Sequence, residues 1–512
     1  MFEKQNSIVR RLFKSGVLLF AGLVLELGIS FVAKVLIAQL LGRTSYGVAT
    51  IGITTLSFVS TILLFGMNTG VGRYLPRFDD EADRKGVMAS GLQVVTGLSV
   101  GCAILLFVFA EPFATYALRA PEAVGVVRIA ALGIPFAALM KFTIGIVQGL
   151  QRSLPKVLIR NIGQPIVRFS LVLVVLYFGL GAVGIVGAYS VTFAAAGLAG
   201  LYYVVTRTNL RSSVTANMRR RELVSFSAPL MLTAAMVMVL SYFDIFMLSY
   251  FRTSGEVGSY NVVYPLAELL TATLSAFSFI AMPVLSQLHS DERTDEMDRT
   301  YKLVTKWIFM ATLPPALILV FFPTASIRLT FGVEYVDGSL ALVVLALGFF
   351  THSVAGPNVN TLTAIGRTRV VMWDNLLAGA TNVVLNFALI PEYGILGAAV
   401  ATAVSYTGLN VLYSAQVYRA TSIHPITAAL VKPATVGILS MAGIYYVVNR
   451  FLDMTAPVLV GMGMAFVSIY GVAILALGGI EEEEIMLVLS FEDRFGVNLG
   501  PFKRVARLFV DE

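Results

Sequence analysis

Apolar residues run along this chain in long blocks separated by short polar breaks. Fourteen blocks stand out: 15–41, 46–71, 87–110, 124–149, 157–178, 181–205, 223–250, 257–285, 303–323, 339–364, 370–390, 395–418, 430–449 and 456–479. Each holds at least 20 residues, and about 20 apolar residues carry a helix across the hydrocarbon core. The breaks are short and rich in Gly, Pro, Arg and Asp, the composition of turns and loops. The pattern predicts an all-α polytopic membrane protein of about 14 transmembrane helices. A basic stretch (Lys4, Arg10, Arg11, Lys14) precedes the first block. That block is too long for a signal-peptide core and lacks a convincing cleavage site, so a retained first helix is expected.

The blocks repeat in order. Gly184-Ile185-Val186-Gly187-Ala188 opens the sixth and Gly394-Ile395-Leu396-Gly397-Ala398 the twelfth. Gly149 and Arg152 precede the fifth, Gly366-Arg367 the eleventh. Arg43-Thr44-Ser45 lies before the second and Arg252-Thr253-Ser254 before the eighth. Matched pairs in one order imply a six-helix unit used twice. An even unit keeps both copies the same way up, with a cavity between them, the architecture of an alternating-access transporter. The expected division is 1–222 for the first six-helix lobe, 223–429 for the second, 430–479 for two extra helices and 480–512 for a cytoplasmic tail. In the tail, Glu481 to Glu484 are followed by an apolar-basic segment around Phe502, Lys503, Arg504 and Phe509, read as an interfacial helix.

Composition removes other classes. Hydrophobic residues make up 57 % and charged residues 13 %, with mean hydropathy +0.82. Soluble domains carry about 25 % charged residues, so a large soluble enzyme domain is excluded. Cys102 is the single cysteine, which leaves no disulfide framework, and His289, His352 and His424 beside it make a poor zinc set. The net charge of +7 has a source other than nucleic acid. With the N-terminus inside, and Lys432 counted with the cytoplasmic break it adjoins, 26 of the 37 Lys and Arg residues fall in cytoplasmic segments and 5 outside, namely Arg43, Arg119, Arg252, Arg328 and Arg450. That bias sets a multi-pass cell-membrane protein with both termini cytoplasmic.

With a 6+6+2 arrangement, the chain resembles the multidrug/oligosaccharidyl-lipid/polysaccharide flippase superfamily, in its polysaccharide transporter, or O-antigen-type flippase, branch. The residues that carry the resemblance are Leu40-Leu41-Gly42-Arg43-Thr44-Ser45-Tyr46-Gly47, then Gly66, Gly70, Arg73, Tyr74, Leu75 and Pro76. In the second unit they are Val257-Gly258-Ser259-Tyr260-Asn261 and Pro283-Val284-Leu285-Ser286. These are structural and loop residues, so the likeness speaks to fold before substrate. It implies movement of a lipid-linked oligosaccharide, on a polyprenyl or dolichyl phosphate, from the cytoplasmic to the external leaflet. The glycan would serve surface polysaccharide or glycoprotein biosynthesis. The implied partners are that glycolipid, membrane lipid, H⁺ or Na⁺ as coupling ion, and glycan-assembly proteins, with no nucleic acid and no cofactor.

Ionisable groups inside a membrane cost about 2.5–3.5 kcal/mol each on insertion scales and mark function by default. The first unit carries Glu26, Lys34, Arg128, Lys141, Arg160 and Arg168, the second Asp244, Glu268, His352 and Asp374, with Lys306 at an edge. Cations dominate one side and anions the other. Glu26, Ser30 and Lys34 form an i, i+4, i+8 stripe, as do Arg160, Gln164 and Arg168, while Asn375, Asn382 and Asn386 share the eleventh block. Lys34, Lys141 and Arg168 are the expected cavity cations for the carrier phosphate, because a dianion in a low-dielectric cleft needs fixed positive charge. Glu26, Asp244 and Glu268 are the candidates for ion coupling. Arg128, Arg160, Lys306 and Asp374 lie near block edges and are read as snorkelling, and His352 as a hydrogen-bonded interior histidine.

No Gly-Lys-Ser or Gly-Lys-Thr occurs, so the chain has no phosphate-cradling loop for ATP. No Asp-x-Asp triplet occurs either, which weighs against a membrane glycosyltransferase or polymerase, and the protein is read as not an enzyme. A cation-coupled multidrug or metabolite antiporter, and a peptidoglycan-precursor flippase, are the alternatives of the same fold.

Overall fold

Apolar blocks of this length leave the backbone one way to satisfy its N–H and C=O groups in lipid, and the chain takes it. The computed structural model describes residues 2–425 and 430–476, and among them there is no strand. The expected tail, 480–512, lies outside the described residues. Counting an interrupted helix once, the first half holds α1 (Phe2–Leu41), α2 (Arg43–Ile62, resuming as Met67–Tyr74), α3 (Glu81–Val108), α4 (Val124–Gly149), α5 (Gln164–Tyr177) and α6 (Gly181–Arg207). Then come α7 (Arg220–Phe251), α8 (Ser254–Glu268, resuming as Thr271–Ser290), α9 (Thr294–Phe321), α10 (Ser339–Val354), α11 (Thr368–Tyr393) and α12 (Ile395–Thr421). Finally α13 (Val431–Phe451) and α14 (Ala456–Ala476) complete the described chain.

Twelve of the described helices are long and apolar enough to cross a membrane, thirteen when Thr271–Ser278 and Ala281–Ser290, bent by 44°, form one span. The expected count of about 14 differs by α7, whose apolar stretch Ala235–Phe251 is shorter than a full crossing.

The second helix of each expected unit is interrupted. In α2 the chain turns at Phe65 and Gly66, with φ of 48° and 67°. Gly66 suits this left-handed backbone because it has no Cβ to clash. In α8 the helix stops at Glu268, three residues after Pro265. A proline inside a helix cannot donate to the carbonyl four residues earlier. That carbonyl belongs to Asn261, and it accepts from the Tyr46 hydroxyl of α2 at 3.3 Å.

Packing follows the order of the chain. Helix α4 lies against α6, α3 and α2, and α5 against α1 and α6. Helix α11 packs on α12 and α7, and α10 on α12 and α9. Helices α13 and α14 attach through α9, where Leu313, Met441 and Phe466 form a separate buried cluster. The first half of α8, Ser254–Glu268, runs closely along α2. A Cβ on Gly47 would lie 1.7 Å from the Ser254 carbonyl oxygen, and one on Gly258 2.3 Å from that of Arg43. Glycine at both positions lets the two backbones touch, and the pair fixes where the halves of the molecule meet.

Candidate functional site

The two polar stripes expected on α1 and α5 face each other. Asn161 donates to the Glu26 carboxylate at 2.8 Å, and Arg168 Nη2 donates to Ser30 Oγ at 2.5 Å. Ahead of α5 the backbone winds more loosely, as a π-helix over Val157–Gly163, which carries Arg160 and Asn161. Glu26 feels Arg160, Arg168 and Lys156, not Lys34, which lies about 12 Å further along the helix axis. The Arg168 guanidinium lies over the Tyr189 ring, 5.1 Å from its centre, and its Nε is buried with no hydrogen-bond partner among the described residues. A buried, unmet N–H donor on a cation is costly unless something fills it.

Lys34 has no hydrogen bond or ion pair among the described residues. The charges it feels are Glu268 of α8 and Arg168 of α5. Glu268 sits where α8 breaks, in the middle of the bundle, and is nonetheless exposed. A charged side chain reachable at that depth fits the cavity expected between the two halves. The same carboxylate acts on Tyr242, Tyr264 and Tyr406.

Lys141 stands apart. An ammonium has three N–H donors, and here they meet Ser57 O at 3.1 Å, Ser60 Oγ at 2.8 Å and Thr61 Oγ1 at 2.6 Å. All three acceptors lie in the last turns of α2 before its break. A cation there complements the negative end of the helix. The structure therefore engages Lys141 with α2, away from Lys34 and Arg168.

Asp244 of α7 is 1 % exposed. It accepts from Tyr260 Oη at 2.5 Å, Thr402 Oγ1 at 2.5 Å and Asn386 Nδ2 at 2.6 Å. Asn386 also donates to Asn382 Oδ1 at 3.0 Å. Asn386 Oδ1 and Asn382 Nδ2 are buried without partners among the described residues. Asp244 makes no ion pair among the described residues, so four helices enclose a carboxylate held by neutral donors alone. His352 shares its Nδ1 with the Asn410 amide at 2.7 Å, in the interior setting expected of it.

The end of the bundle that the charge pattern assigns to the outside is closed. Arg43 Nε donates to Gly255 O at 3.0 Å, its Nη2 pairs with Asp337, and its backbone N–H donates to Glu334 at 3.2 Å. Asn261 donates to Tyr46 at 2.8 Å and Thr50 at 2.9 Å, and the Tyr335 hydroxyl donates to Ala38 O at 2.8 Å.

The asparagines of α11 were visible as a stripe in sequence. Thr402, Tyr242, Tyr406 and Tyr189 carried no such signal, because tyrosine and threonine are ordinary residues of apolar blocks.

The "polysaccharide biosynthesis protein" family model matches residues 12–289, more than half of the 512. An uncharacterized membrane protein of Methanocaldococcus jannaschii, MJ1068, is 24 % identical over 53 % of this chain and 53 % of its own length. The probable low-salt glycan biosynthesis flippase Agl15 of Haloferax volcanii is 23 % identical over 44 % of this chain and 48 % of its own. The chain thus spans about half the length of these curated relatives. Among solved structures, the lipid II flippase MurJ in an inward closed conformation superposes with a TM-score of 0.72 at 15 % identity, covering 90 % of this chain and 98 % of that one, which shows the fold. The match over α1 to α8 makes this chain a member of the polysaccharide biosynthesis protein family.

Proposed function

We propose that this protein moves a lipid-linked oligosaccharide from the cytoplasmic to the external leaflet by alternating access, as a transporter and not as an enzyme. The observation that carries the reading is the pair Lys34 and Arg168. Among the described residues one is a cation without a hydrogen bond or ion pair and the other has a buried N–H without a partner, and the Arg168 charge acts on Lys34. Such a pair gains most from an anionic guest, and a carrier phosphate supplies acceptors for both. The two lobes are 1–222 and 223–429, both termini are cytoplasmic, and the outer end is the closed one. In this proposal Lys34 and Arg168 hold the phosphate, while Lys141 keeps α2 in place.

The test is sidedness. In cells lacking the protein, the completed carrier-bound glycan accumulates and is protected from an externally added glycosidase in intact cells. A normal pool on the normal side overturns the reading in favour of small-molecule antiport, and truncated glycans point to an enzyme of assembly.

Asp244 is the proposed coupling residue, since a buried carboxylate among neutral oxygen and nitrogen groups gains a counter-charge by taking up H⁺ or Na⁺. Asp244→Asn keeps the shape and removes the charge. Export into vesicles by this variant loses its dependence on an imposed ion gradient and falls by about tenfold or more. A variant that still responds to the gradient removes Asp244 from the role. Glu26, held by Asn161 amid three cations, and Glu268, facing Lys34, are each already balanced by positive charge.

A further inference from the structure

The wall opposite Lys34 and Arg168 is built differently from theirs. Glu268 shares a face of α8 with Tyr264, one turn earlier, and its charge acts on Tyr264, on Tyr242 of α7 and on Tyr406 of α12. Two of these rings are pinned from behind. Tyr264 meets Phe349 edge-on at 5.3 Å, and Phe349 meets Tyr406 at 5.2 Å. Phe349 is 3 % exposed, so it acts as a backing plate and not as a wall residue. Rings that serve only as core are buried outright, as Tyr260 is at 1 %, with its hydroxyl given to Asp244. Tyr242, Tyr264 and Tyr406 are each half-buried, and Glu268 beside them is exposed. Rigid aromatic faces beside a hydrogen-bond acceptor form a surface with an apolar plane and a polar edge.

Three kinds of guest meet that surface differently. A phosphate is repelled by Glu268. A cation suits tyrosine faces and a carboxylate, but Lys34 already faces Glu268 and would repel it. A neutral sugar ring has a C–H face that lies on an aromatic ring and edge hydroxyls that donate to a carboxylate. It satisfies every group on the wall without opposing Lys34.

We propose that Tyr264, Tyr406 and Tyr242 with Glu268 form the sugar subsite, so that the glycan rests on the second half of the protein while the carrier phosphate rests on Lys34 and Arg168 of the first. This rests on the lipid-linked glycan reading and assigns Glu268 to hydroxyl recognition instead of ion coupling. The split gives substrate binding a mechanical consequence: one molecule bridges both walls and draws them together only when sugar and phosphate are both present. A bare carrier lipid lacks the second contact.

The experiment uses the full chain in lipid nanodiscs, with undecaprenyl phosphate, the same lipid carrying one glucose, and tetraphenylphosphonium as probes, by isothermal titration. Wild type binds the glucose-bearing lipid more tightly than the bare one. Tyr406→Leu reduces that preference by about threefold to tenfold at unchanged bare-lipid affinity, and Glu268→Gln reduces it by as much while bare-lipid affinity rises, because the charge that opposes the phosphate is gone. Glu268 is accessible, so its glutamine variant folds, and Tyr406→Phe, which keeps the ring, retains most of the preference. An unchanged preference in Glu268→Gln and Tyr406→Leu overturns the subsite, as does an equal loss for both lipids. Tetraphenylphosphonium binding that vanishes in Glu268→Gln overturns it in favour of a cation site. If wild type binds neither lipid, the phosphate reading itself fails and takes the subsite with it. Bare-lipid binding with no sugar preference removes the subsite alone.

Discussion

Replacing Lys34 and Arg168 together by alanine stops export of the carrier-bound glycan while leaving a folded protein in the membrane. Neither side chain holds a helix end, and of their contacts the Arg168 bond to Ser30 joins α5 to α1 and its place over the Tyr189 ring joins α5 to α6. The guest loses two charge-assisted contacts in a low-dielectric cleft, each worth about 1.5–3 kcal/mol, so export per molecule falls by a factor on the order of 10² to 10⁴. Lys141→Ala behaves in the opposite way. Its three bonds stabilise the last turns of α2, and their loss lowers thermal stability in detergent while export per surviving molecule stays within about threefold of wild type. The two sets of variants are compared by protease protection of the external glycan, normalised to protein in the membrane. Full export by the double variant, or selective loss of export with unchanged stability in Lys141→Ala, reverses the assignment.

That contrast shows what could be read from the sequence and what could not. The stripes Glu26-Ser30-Lys34 and Arg160-Gln164-Arg168 follow helical period, so their sharing a face on each helix was visible, and α1 and α5 do oppose them. Lys141 looked like the same kind of residue, a cation deep in an apolar block. The acceptors that its ammonium meets lie 80 to 84 residues away, at the end of α2, and no local pattern announces them. The Asp244 pocket was half legible: Asn382 and Asn386 stand at i, i+4, but Thr402 and Tyr260 join only through tertiary packing. The break in α8 was hidden for a similar reason, since Pro265 permits it and the hydroxyl that satisfies the freed carbonyl comes from α2. The duplicated Arg-Thr-Ser motif was legible as a repeat and misleading as a symmetry. Arg252 donates to the Ile390 and Pro391 carbonyls at the end of α11, within the second half. Arg43 reaches across to Gly255 and Asp337.

This diverted arginine, with the glycines beneath it, makes the outer closure the second place where a single substitution has a large effect. The Arg43–Asp337 pair is 31 % and 42 % exposed, and ion pairs of that kind contribute about 0–1 kcal/mol, so Arg43→Ala alone opens the outer end only about twofold to tenfold, counting its bond to Gly255. Gly47 is different in kind. A Cβ there would sit 1.7 Å from the Ser254 carbonyl oxygen, against backbone that no rotamer change can move. Gly47→Val therefore separates α2 from α8 and leaves the outer end open for most of the time. Buried clusters that do not include this contact, Met67 with Val95 and Phe142 in the first half and Leu285 with Tyr301 and Tyr413 in the second, keep the protein folded. Cys102 is the single cysteine, and Cys102→Ser gives a thiol-free background. Thr50→Cys places a reporter just inside the closure, where Thr50 meets Asn261 at 2.9 Å. A membrane-impermeant maleimide added to intact cells leaves this reporter unmodified in the parent, labels it slowly with Arg43→Ala, and labels it at least tenfold faster with Gly47→Val. Equal protection in all three means the close α2–α8 contact is not what shuts the outer end. Rapid labelling of the parent means that end is not the closed one in the membrane. The predicted order makes closure a property of backbone fit, with Arg43 tuning how long it lasts, which is what an external gate that must open once per transport cycle requires.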